Sequence, residues 1–339
     1  MQVEVPNYGA AEVLRVASAC NCEPDKAVLE DDEVLVHNTY AGVNFIDTYF
    51  RNGLYKKPHL PFVPGEEGAG TVVKKGAKVL SPDVGQRVAY YGSVTGSYAT
   101  YTVVKAANTE VLPAGVADKT GAAVMCQGLT AHYLTHDSYP CGPQSRVLVH
   151  AAAGGTGLLV CQMAKLRGAF VVGVCGGSEK AELARSVGGA DHVVDYLAFP
   201  DWTTEVRKLL PGGFDAVYDG VGKATFEGSL SVLRPRGYMI SFGNASGAVE
   251  AVTPLRLKDA GSVYLQRPFL GDYIRDPEER KRRFLDLWNW LSSNRLQVKY
   301  SQEFPLAKAA EAHHYLESRM STGKVLLSCS STEGQSSPH

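Results

Sequence analysis

The chain has 339 residues, of which 45% are hydrophobic and 20% are charged, and its formal net charge is −1. This length is sufficient for two domains. The balanced charge gives no general attraction to nucleic acid or to an anionic membrane, and no apolar run is long enough to span a bilayer.

The cysteines and the N-terminus bear on the cellular compartment. Seven cysteines are scattered along the chain, and Cys20 and Cys22 have no second pair at metal-ligand spacing, so no zinc site is expected there. The first residues lack the basic segment and the apolar run of a signal peptide. We therefore expect a cytoplasmic protein with reduced thiols.

The N-terminal third is predicted to be rich in β-strands. Residues 33–40 alternate apolar and polar side chains, as a half-buried strand does, and residues 71–74 and 87–91 are predicted to be further strands between glycine-containing turns. Residues 44–50 predict a helical turn. Several strands at short spacing favour a compact, barrel-like β domain over residues 1 to about 125.

From about residue 119 the hydrophobic pattern becomes helical. Residues 120–133 are rich in alanine and predict one helix that crosses between two domains. Strands and helices then alternate, which predicts a doubly wound parallel sheet with residues 262–266 as its last strand. Two helices, a strand and a disordered polar tail are predicted at residues 278–294, 306–318, 324–327 and 329–339.

The strongest functional pattern is a strand, a glycine-rich turn, a helix and a second strand over residues 146–177. The turn, AAAGGTG, has the form A-x-G-x-x-G at Ala152, Gly154 and Gly157. Gly154 would let the backbone approach a pyrophosphate, and Gly157 would let the helix pack closely. The N–H groups at the helix N-terminus would bind the phosphates. This context favours dinucleotide binding over a purely structural turn.

The end of the second strand bears on the choice of dinucleotide. It reads CGGS at residues 175–178 and has no acidic residue to bind a ribose 2′-hydroxyl. Lys180 follows, in a helix predicted at residues 179–187 with Ser178 as its N-cap. A 2′-phosphate would be attracted by Lys180 and could accept a hydrogen bond from Ser178. The pattern favours NADPH, and the alternative is a solvated Lys180 without a cofactor preference.

Five stretches occur in an order that is typical of one protein superfamily. They are AGVNFIDTYFRNGLY (41–55), PGEEGAG (64–70), HAAAGGTGLL (150–159), SFGNASGAV (241–249) and ESRMSTGKVLL (317–327). With them, the chain resembles the medium-chain dehydrogenase/reductase superfamily over about residues 1–327. Within that superfamily it resembles the zinc-free quinone oxidoreductases related to ζ-crystallin.

The resemblance implies an α/β protein of two domains. A GroES-like, β-rich catalytic domain would comprise residues 1–125 and 269–339, and a Rossmann domain with a doubly wound parallel sheet would bind NADPH at residues 126–268. The resemblance also implies a homodimer formed by edge strands of the two Rossmann sheets, for which residues 262–266 are the candidate.

The resemblance also bears on the chemistry. Zinc-dependent members carry a cysteine at the position of Asn44 and a His-Glu pair at the positions of Glu66 and Glu67, so no metal is expected here. We expect metal-free hydride transfer from NADPH to a quinone in the cleft between the domains. Reduction of an activated C=C bond in an alkenal or enone stays open, because the same scaffold serves both reactions.

A third alternative is an NADPH-binding protein that also binds single-stranded RNA. Residues 280–283, with the sequence RKRR, form the only basic run. Two glutamates precede this run on a predicted helix, so a solvated helix face is favoured over nucleic-acid binding. The histidines show no metal-ligand spacing, and we expect them to be structural.

The resemblance implies site residues where the motifs match. Asn44, Asp47, Tyr49 and Tyr55 would line the catalytic cleft, where a tyrosine could donate to the quinone oxygen. Cofactor contacts are implied for Phe45, Tyr49, Thr130, Tyr133, Gly154, Gly155, Thr156, Gly157, Gly176, Gly177, Ser178, Lys180, Tyr196, Gly220, Phe242, Gly243, Asn244, Arg267, Pro268, Phe269 and Arg319. Gly220 departs from close relatives, which often carry serine.

These residues also have plainer interpretations. Asn44 and Asp47 could be turn or cap residues after a strand. The two tyrosines could be ordinary surface aromatics, and Arg319 could form a surface ion pair.

Overall fold

A computed structural model describes residues 1–17 and 22–329. Cys20, and therefore the Cys20–Cys22 pair, lies outside the described residues, as does the chain from residue 330, where tail disorder is expected. The chain forms two compact units. The first comprises residues 1–126 and the chain from residue 300 onward, and the second comprises residues 127–299.

The described residues form both strands and helices. The strands are β1 Gln2–Glu4, β2 Arg15–Ala17, β3 Glu33–Val43, β4 Glu67–Lys75, β5 Arg87–Tyr91, β6 Tyr101–Lys105, β7 Thr109–Val111, β8 Arg146–His150, β9 Phe170–Cys175, β10 His192–Asp195, β11 Phe214–Asp219, β12 Leu233–Ser241, β13 Tyr264–Gln266, β14 Tyr300–Pro305 and β15 Lys324–Ser328.

The helices follow the same chain order. They are α1 Phe45–Asn52, α2 Asp118–Val124, α3 Gln127–Tyr133, α4 Gly155–Leu166, α5 Ser178–Ser186, α6 Trp202–Leu209, α7 Phe226–Ser231, α8 Pro254–Asp259, α9 Leu270–Tyr273, α10 Pro277–Ser292 and α11 Ala309–Glu317. A π-helical turn, Leu134–Ser138, continues α3.

The first unit is built on a seven-stranded sheet. Its strand order is β14-β15-β3-β4-β5-β7, and β6 also pairs with β3. The long β3 therefore bonds to three partners, one of which returns from the C-terminal end of the chain. Valines of alternating positions, such as Val34, Val36 and Val72, form a buried core on one face. The β-rich prediction for this region is confirmed.

The second unit contains the predicted parallel sheet. Its strand order is β10-β9-β8-β11-β12-β13, and all neighbours are parallel. The chain runs outward from β8 to one edge and returns at β11 to reach the other, so the order reverses between these two strands. Ligands of such sheets bind beyond the carboxyl ends of the strands at this reversal. The doubly wound prediction is confirmed, and β13 is an edge strand.

The single helix predicted over residues 120–133 is wrong. Helix α2 ends at Val124 and α3 begins at Gln127. The backbone N–H of Cys126 donates to Glu67 Oε2 at 2.5 Å, so a side chain distant in sequence takes the donor that would have continued the helix. The break falls where the N-terminal segment of the first unit ends.

The second unit extends to residue 299 rather than to the expected limit at residue 268. The additional segment contains α10, which packs on α3 and the π-helical turn. Arg283 of α10 donates to Asp137 Oδ2 at 2.6 Å and lies 3.0 Å from His132 Nδ1. These buried polar bonds explain why α10 belongs with the parallel sheet.

Candidate functional site

The turn between β8 and α4 uses its glycines in two different ways. A Cβ atom at Gly154 would meet only the Ala151 carbonyl oxygen, at 3.1 Å, so space is open beside this residue. A Cβ at Gly157 would overlap the same oxygen and lie 3.0 Å from Ala152 Cα. Gly154 therefore leaves room for a ligand, and Gly157 is required for the backbone to pack.

The same turn contains backbone strain that the sequence did not indicate. Ala151 has φ +48°, in the left-handed region that non-glycine residues rarely adopt. The Gly154 N–H closes the turn by donating to the Ala151 carbonyl at 2.8 Å. Strain of this kind concentrates at functional sites.

Helix α4 begins directly at this turn. Its N-cap is Gly154, which has no side chain to cap the first N–H groups. The first N–H groups of a helix have no intrahelical acceptor, and the helix dipole adds positive potential there. Gly155 and Thr156 are partly exposed at this terminus. The geometry fits a bound pyrophosphate.

The turn after β9 is organised by an acidic residue that the sequence analysis missed. Asp195, the last residue of β10, accepts hydrogen bonds from the N–H groups of Gly177 (2.7 Å) and Leu197 (2.9 Å). The bond from Gly177 lowers the pKa of Asp195. Gly177 has φ +95° and is the N-cap of α5. The prediction that Ser178 is the N-cap is therefore wrong, because Ser178 is already the first helical residue.

Two predicted 2′-phosphate residues flank this turn. The Tyr196 ring packs on Gly176, where a Cβ atom would lie 2.6 Å from the ring carbon Cζ. Lys180 is partly buried in the first turn of α5, and burial lowers the pKa of its ammonium group. An anion bound beside Lys180 would offset this cost, so the environment is compatible with a phosphate.

The loops after β11 and β12 interlock. A Cβ atom at Gly220 would lie 2.8 Å from the Phe242 ring, and one at Gly243 would lie 3.0 Å from Gly220 Cα. The Phe242 N–H donates to the carbonyl of Asp219 at 2.8 Å. A side chain at Gly220 would therefore require the Phe242 ring to move. Asn244 follows in the same loop.

The remaining predicted contacts of the second unit lie in α3 and after β13. Tyr133 is 2% exposed and stacks on Tyr273, with ring centroids 4.1 Å apart, so little of its ring remains for a ligand. Thr130 is partly exposed. Arg267 donates to the carbonyl of Pro268 at 3.1 Å. Phe269 is 52% exposed and therefore accessible.

In the first unit, α1 presents a group of aromatic side chains. The Tyr49 ring lies 6.4 Å from Phe45 and 5.4 Å from Tyr55, edge to face with the latter. Tyr49 is 6% exposed, while Phe45 and Tyr55 are more accessible. Aromatic rings of this kind can pack against a flat apolar ligand.

Three of the four predicted catalytic residues are buried, and Asp47 is the most deeply buried, since Asn44 is 4% and Tyr49 6% exposed. The Asp47 side chain is 0% exposed and has no surface to present to a ligand. The structure therefore does not place Asp47 in the lining of a cleft, as the sequence analysis expected. Its Oδ2 accepts from the Asn44 N–H at 2.8 Å and from the Tyr98 hydroxyl at 3.2 Å. Tyr98 also contacts His313 Nε2 at 2.9 Å, and Arg51 contacts His313 Nδ1 at 3.0 Å. Asp47 therefore anchors α1 within a buried polar chain.

Burial gives Asp47 an unusual ionisation. It raises the pKa of this carboxyl to about 7, against the lowering effect of the hydrogen bond from Asn44. The folded pKa lies above the unfolded one, so the stabilising contribution is complete below about pH 4 and is lost as pH rises through about 7. We expect the unfolding free energy of the wild type to fall, relative to that of Asp47→Asn, by roughly 1.4 kcal/mol per pH unit in this window.

Urea unfolding of both proteins from pH 4 to 8 measures this difference. Burial lowers the pKa of His313 to about 3. Because of this shift, the unfolding free energy rises with pH up to about pH 6.5, opposite to the effect of Asp47. That slope is common to both proteins and cancels in the difference. Parallel curves for the two proteins would show that Asp47 is ionised throughout.

Arg319 follows α11 and belongs to the first unit, whereas the turn after β9 belongs to the second. It is exposed and has φ +62°, another left-handed non-glycine residue. Its contact with a 2′-phosphate stays a prediction.

Several other sequence expectations concern charges and histidines. The basic run at residues 280–283 is not a uniformly solvated face, because Arg283 is 0% exposed and ion-paired with Asp137. His132, His150 and His313 are buried and hydrogen-bonded. Over the described residues, no three His, Cys, Asp or Glu side chains are grouped to hold a metal, and no described helix is long and apolar enough to cross a bilayer.

The two units together define a medium-chain dehydrogenase/reductase. Its first domain type, the alcohol dehydrogenase GroES-like domain, matches residues 30–137, and the zinc-binding dehydrogenase family matches residues 155–290. The quinone oxidoreductase of Pseudomonas aeruginosa is 40% identical, over 96% of this chain and 98% of the relative. The 2-haloacrylate reductase of a Burkholderia species is 35% identical, over 87% of this chain and 90% of the relative.

Solved structures agree with the sequence relatives. The crystal structure of the Escherichia coli quinone oxidoreductase complexed with NADPH matches with a TM-score of 0.92 at 38% identity, covering 96% of this chain and 99% of that one. The chain therefore belongs to the quinone oxidoreductase family of the medium-chain dehydrogenase/reductase superfamily.

Proposed function

We propose that the protein is an NADPH-dependent quinone oxidoreductase that transfers hydride without a metal. The observation that carries the proposal is the N-terminus of α4, which begins at the N-cap Gly154 beside open space, at the strand reversal of the parallel sheet. Lys180 at the start of α5 supports NADPH over NADH. Family membership supports a quinone as the acceptor.

The protein's own groups would bind and orient the reactants. When bound, NADPH supplies the hydride. The first N–H groups of α4 would bind its phosphates, and the Phe242 loop after β12 would hold its nicotinamide half. Tyr49 and Tyr55 present rings for stacking and phenol O–H groups that could donate to an oxygen as it gains charge. These groups act by positioning and by electrostatics, which suffices for a readily reduced quinone.

The donor set near α1 does not fit zinc. Asn44 supplies an amide, the Glu67 carboxylate is ion-paired with Lys324, and Glu66 lies 3.2 Å from Lys57. Zinc sites in proteins use thiolate, imidazole or unpaired carboxylate. The ammonium groups of Lys324 and Lys57 beside these carboxylate oxygens would repel a divalent cation. Activity that survives prolonged dialysis against a chelator would support metal-free transfer.

An NADPH oxidation assay tests the activity directly. Purified protein is mixed with NADPH and, in turn, a 1,4-quinone, a 1,2-quinone and an alkenal, and absorbance at the reduced nicotinamide band is followed. Turnover with a quinone that exceeds turnover with the alkenal supports the proposal. The second candidate, reduction of an activated C=C bond, is favoured by the similarity to the 2-haloacrylate reductase and would give the reverse order.

Lys180→Glu tests the cofactor preference. Loss of a charge-assisted contact to the 2′-phosphate is expected to raise the Kd for NADPH about 10- to 100-fold, while the Kd for NADH changes little. Arg185→Glu is the matched control, since it makes the same charge change in the last turn of α5. Both constants are measured by nicotinamide fluorescence titration. Equal weakening of NADPH and NADH would contradict the assignment.

We also propose a homodimer, through the exposed edge of β13. Tyr264 in this strand is 54% exposed, and an unpaired strand edge can bond to a second copy. Sedimentation equilibrium would give twice the chain mass, and a monomer mass at micromolar concentration would exclude the dimer.

A further inference from the structure

The start of α1 lies against a buried ion pair that hydride transfer does not require. Lys324, the first residue of β15, and Glu67, the first of β4, have side chains 1% and 0% exposed. The Lys324 ammonium donates to Glu67 Oε1, to Asn44 Oδ1 at 2.8 Å and to the Val43 carbonyl at 3.2 Å. All three of its N–H donors are therefore used.

This ion pair determines the orientation of the Asn44 amide. Asn44 Nδ2 donates to Glu67 Oε1 at 2.6 Å, while Asn44 Oδ1 accepts from Lys324. Turning the amide over would place its NH₂ group against the ammonium and its oxygen against the carboxylate. The amide oxygen faces a donor and the amide nitrogen faces an acceptor, so the Asn44 side chain has a single favourable orientation.

The surrounding backbone accommodates the pair. Glu67 Oε2 accepts from the N–H of Cys126, the last residue of the N-terminal segment of the first unit. A side chain at Gly42 would overlap Glu67 Oε1 and lie 2.6 Å from its Cδ. Strand β3 thus has a glycine where the carboxylate needs space.

Stability alone does not explain such a pair. Two buried charges lose their hydration, and replacing them with apolar side chains of similar volume is often neutral or stabilising. Their benefit is orientation, and the side chain they orient is the predicted site residue Asn44. We propose that Lys324 is a positioning residue of this reductase that, together with Glu67, fixes the Asn44 amide for its contact with substrate or cofactor. The effect on turnover rests on the proposed function, whereas the orientation of the amide does not.

The test uses a variant that removes both charges. Lys324→Met alone leaves the Glu67 carboxylate buried without its counter-ion and is expected to be less stable. Lys324→Met combined with Glu67→Gln is neutral and keeps the volume, and its folding is checked by circular dichroism melting. An amide at position 67 no longer discriminates between the two orientations of Asn44.

The first measurement reports orientation without activity. In protein labelled with [15N]asparagine, the Asn44 side-chain signals are assigned by their absence from Asn44→Ala. The wild type is expected to show two slowly exchanging NH₂ signals. In the neutral double variant they are expected to shift and to exchange at least about 10-fold faster, as a hydrogen bond to a charged group is lost.

The second measurement is a kinetic cycle with NADPH and a 1,4-quinone. The neutral double variant is expected to lose about 10-fold or more in kcat/KM, although its stability is recovered. Adding the Lys324→Met and Glu67→Gln substitutions to Asn44→Ala is expected to cause no further loss of kcat/KM, because Lys324 acts through Asn44. A purely structural pair would instead give a stable double variant with full activity.

Each outcome decides a different question. Unchanged Asn44 signals in the neutral double variant would overturn the inference, as would an equal loss of kcat/KM in the Asn44→Ala background. If the wild type oxidises NADPH with none of the acceptors, the proposed function fails, and the amide signals alone then decide whether Lys324 positions Asn44.

Discussion

Gly154→Val is expected to remove NADPH binding from a protein that stays folded. Gly154 has φ −76° and ψ 168°, which valine adopts readily, and a Cβ atom there meets only the Ala151 carbonyl oxygen at 3.1 Å. The added methyl groups would fill the space that a pyrophosphate needs beside the α4 N-terminus. The Kd for NADPH should rise at least about 100-fold, or about 2.7 kcal/mol, by fluorescence titration.

Two further variants make this result specific. Gly212→Val is a matched control in the same unit, since a Cβ atom at Gly212 has nothing within 4 Å, and it should leave both stability and NADPH affinity unchanged. Gly157→Val should unfold more easily, because its Cβ would overlap the Ala151 carbonyl oxygen. If Gly154→Val binds NADPH as the wild type does, the phosphate site is misassigned.

The parts predicted well from the sequence depend on local patterns. The parallel sheet follows from alternating apolar runs. The helix predicted at residues 179–187 is α5, Ser178–Ser186, and the last strand predicted at residues 262–266 is β13, Tyr264–Gln266. The glycine turn was found because its strand, turn and helix are adjacent in sequence. The different roles of Gly154 and Gly157 follow from the same motif, and the structure adds the atoms that each would meet.

The parts that could not be predicted depend on partners distant in sequence. The break between α2 and α3 depends on Glu67, which is 59 residues from Cys126. Hydrophobic periodicity treats charged side chains as exposed, so it gave no signal that Asp47 or Lys324 is buried. Lys324 lies inside because acceptors from other elements take all of its donors, whereas Asp47 accepts through Oδ2 and its buried Oδ1 has no hydrogen-bond partner among the described residues. These contacts appear only in the folded chain.

Arg283→Met is expected to be the most destabilising of the single substitutions considered for α10. The Arg283 side chain is 0% exposed, and its guanidinium donates to Asp137 Oδ2 at 2.6 Å and to the Tyr273 carbonyl at 3.0 Å. It also lies 3.0 Å from His132 Nδ1. Methionine fills part of the volume but leaves these acceptors without their donor. The unfolding free energy should fall by about 3–5 kcal/mol in urea titrations.

Arg282→Met provides a control within the same basic run. Arg282 contacts the same carboxylate, at 3.3 Å, but its side chain is 54% exposed, so its removal should cost less than about 1 kcal/mol. Comparison of the two variants therefore separates the effect of burial on stability from the effect of charge. Equal stability of the two variants would mean that water replaces the Arg283 bonds, and that the extension of the second unit through α10 has another cause. A large difference would assign Arg283 to folding and leave only the exposed part of the run for any nucleic-acid contact.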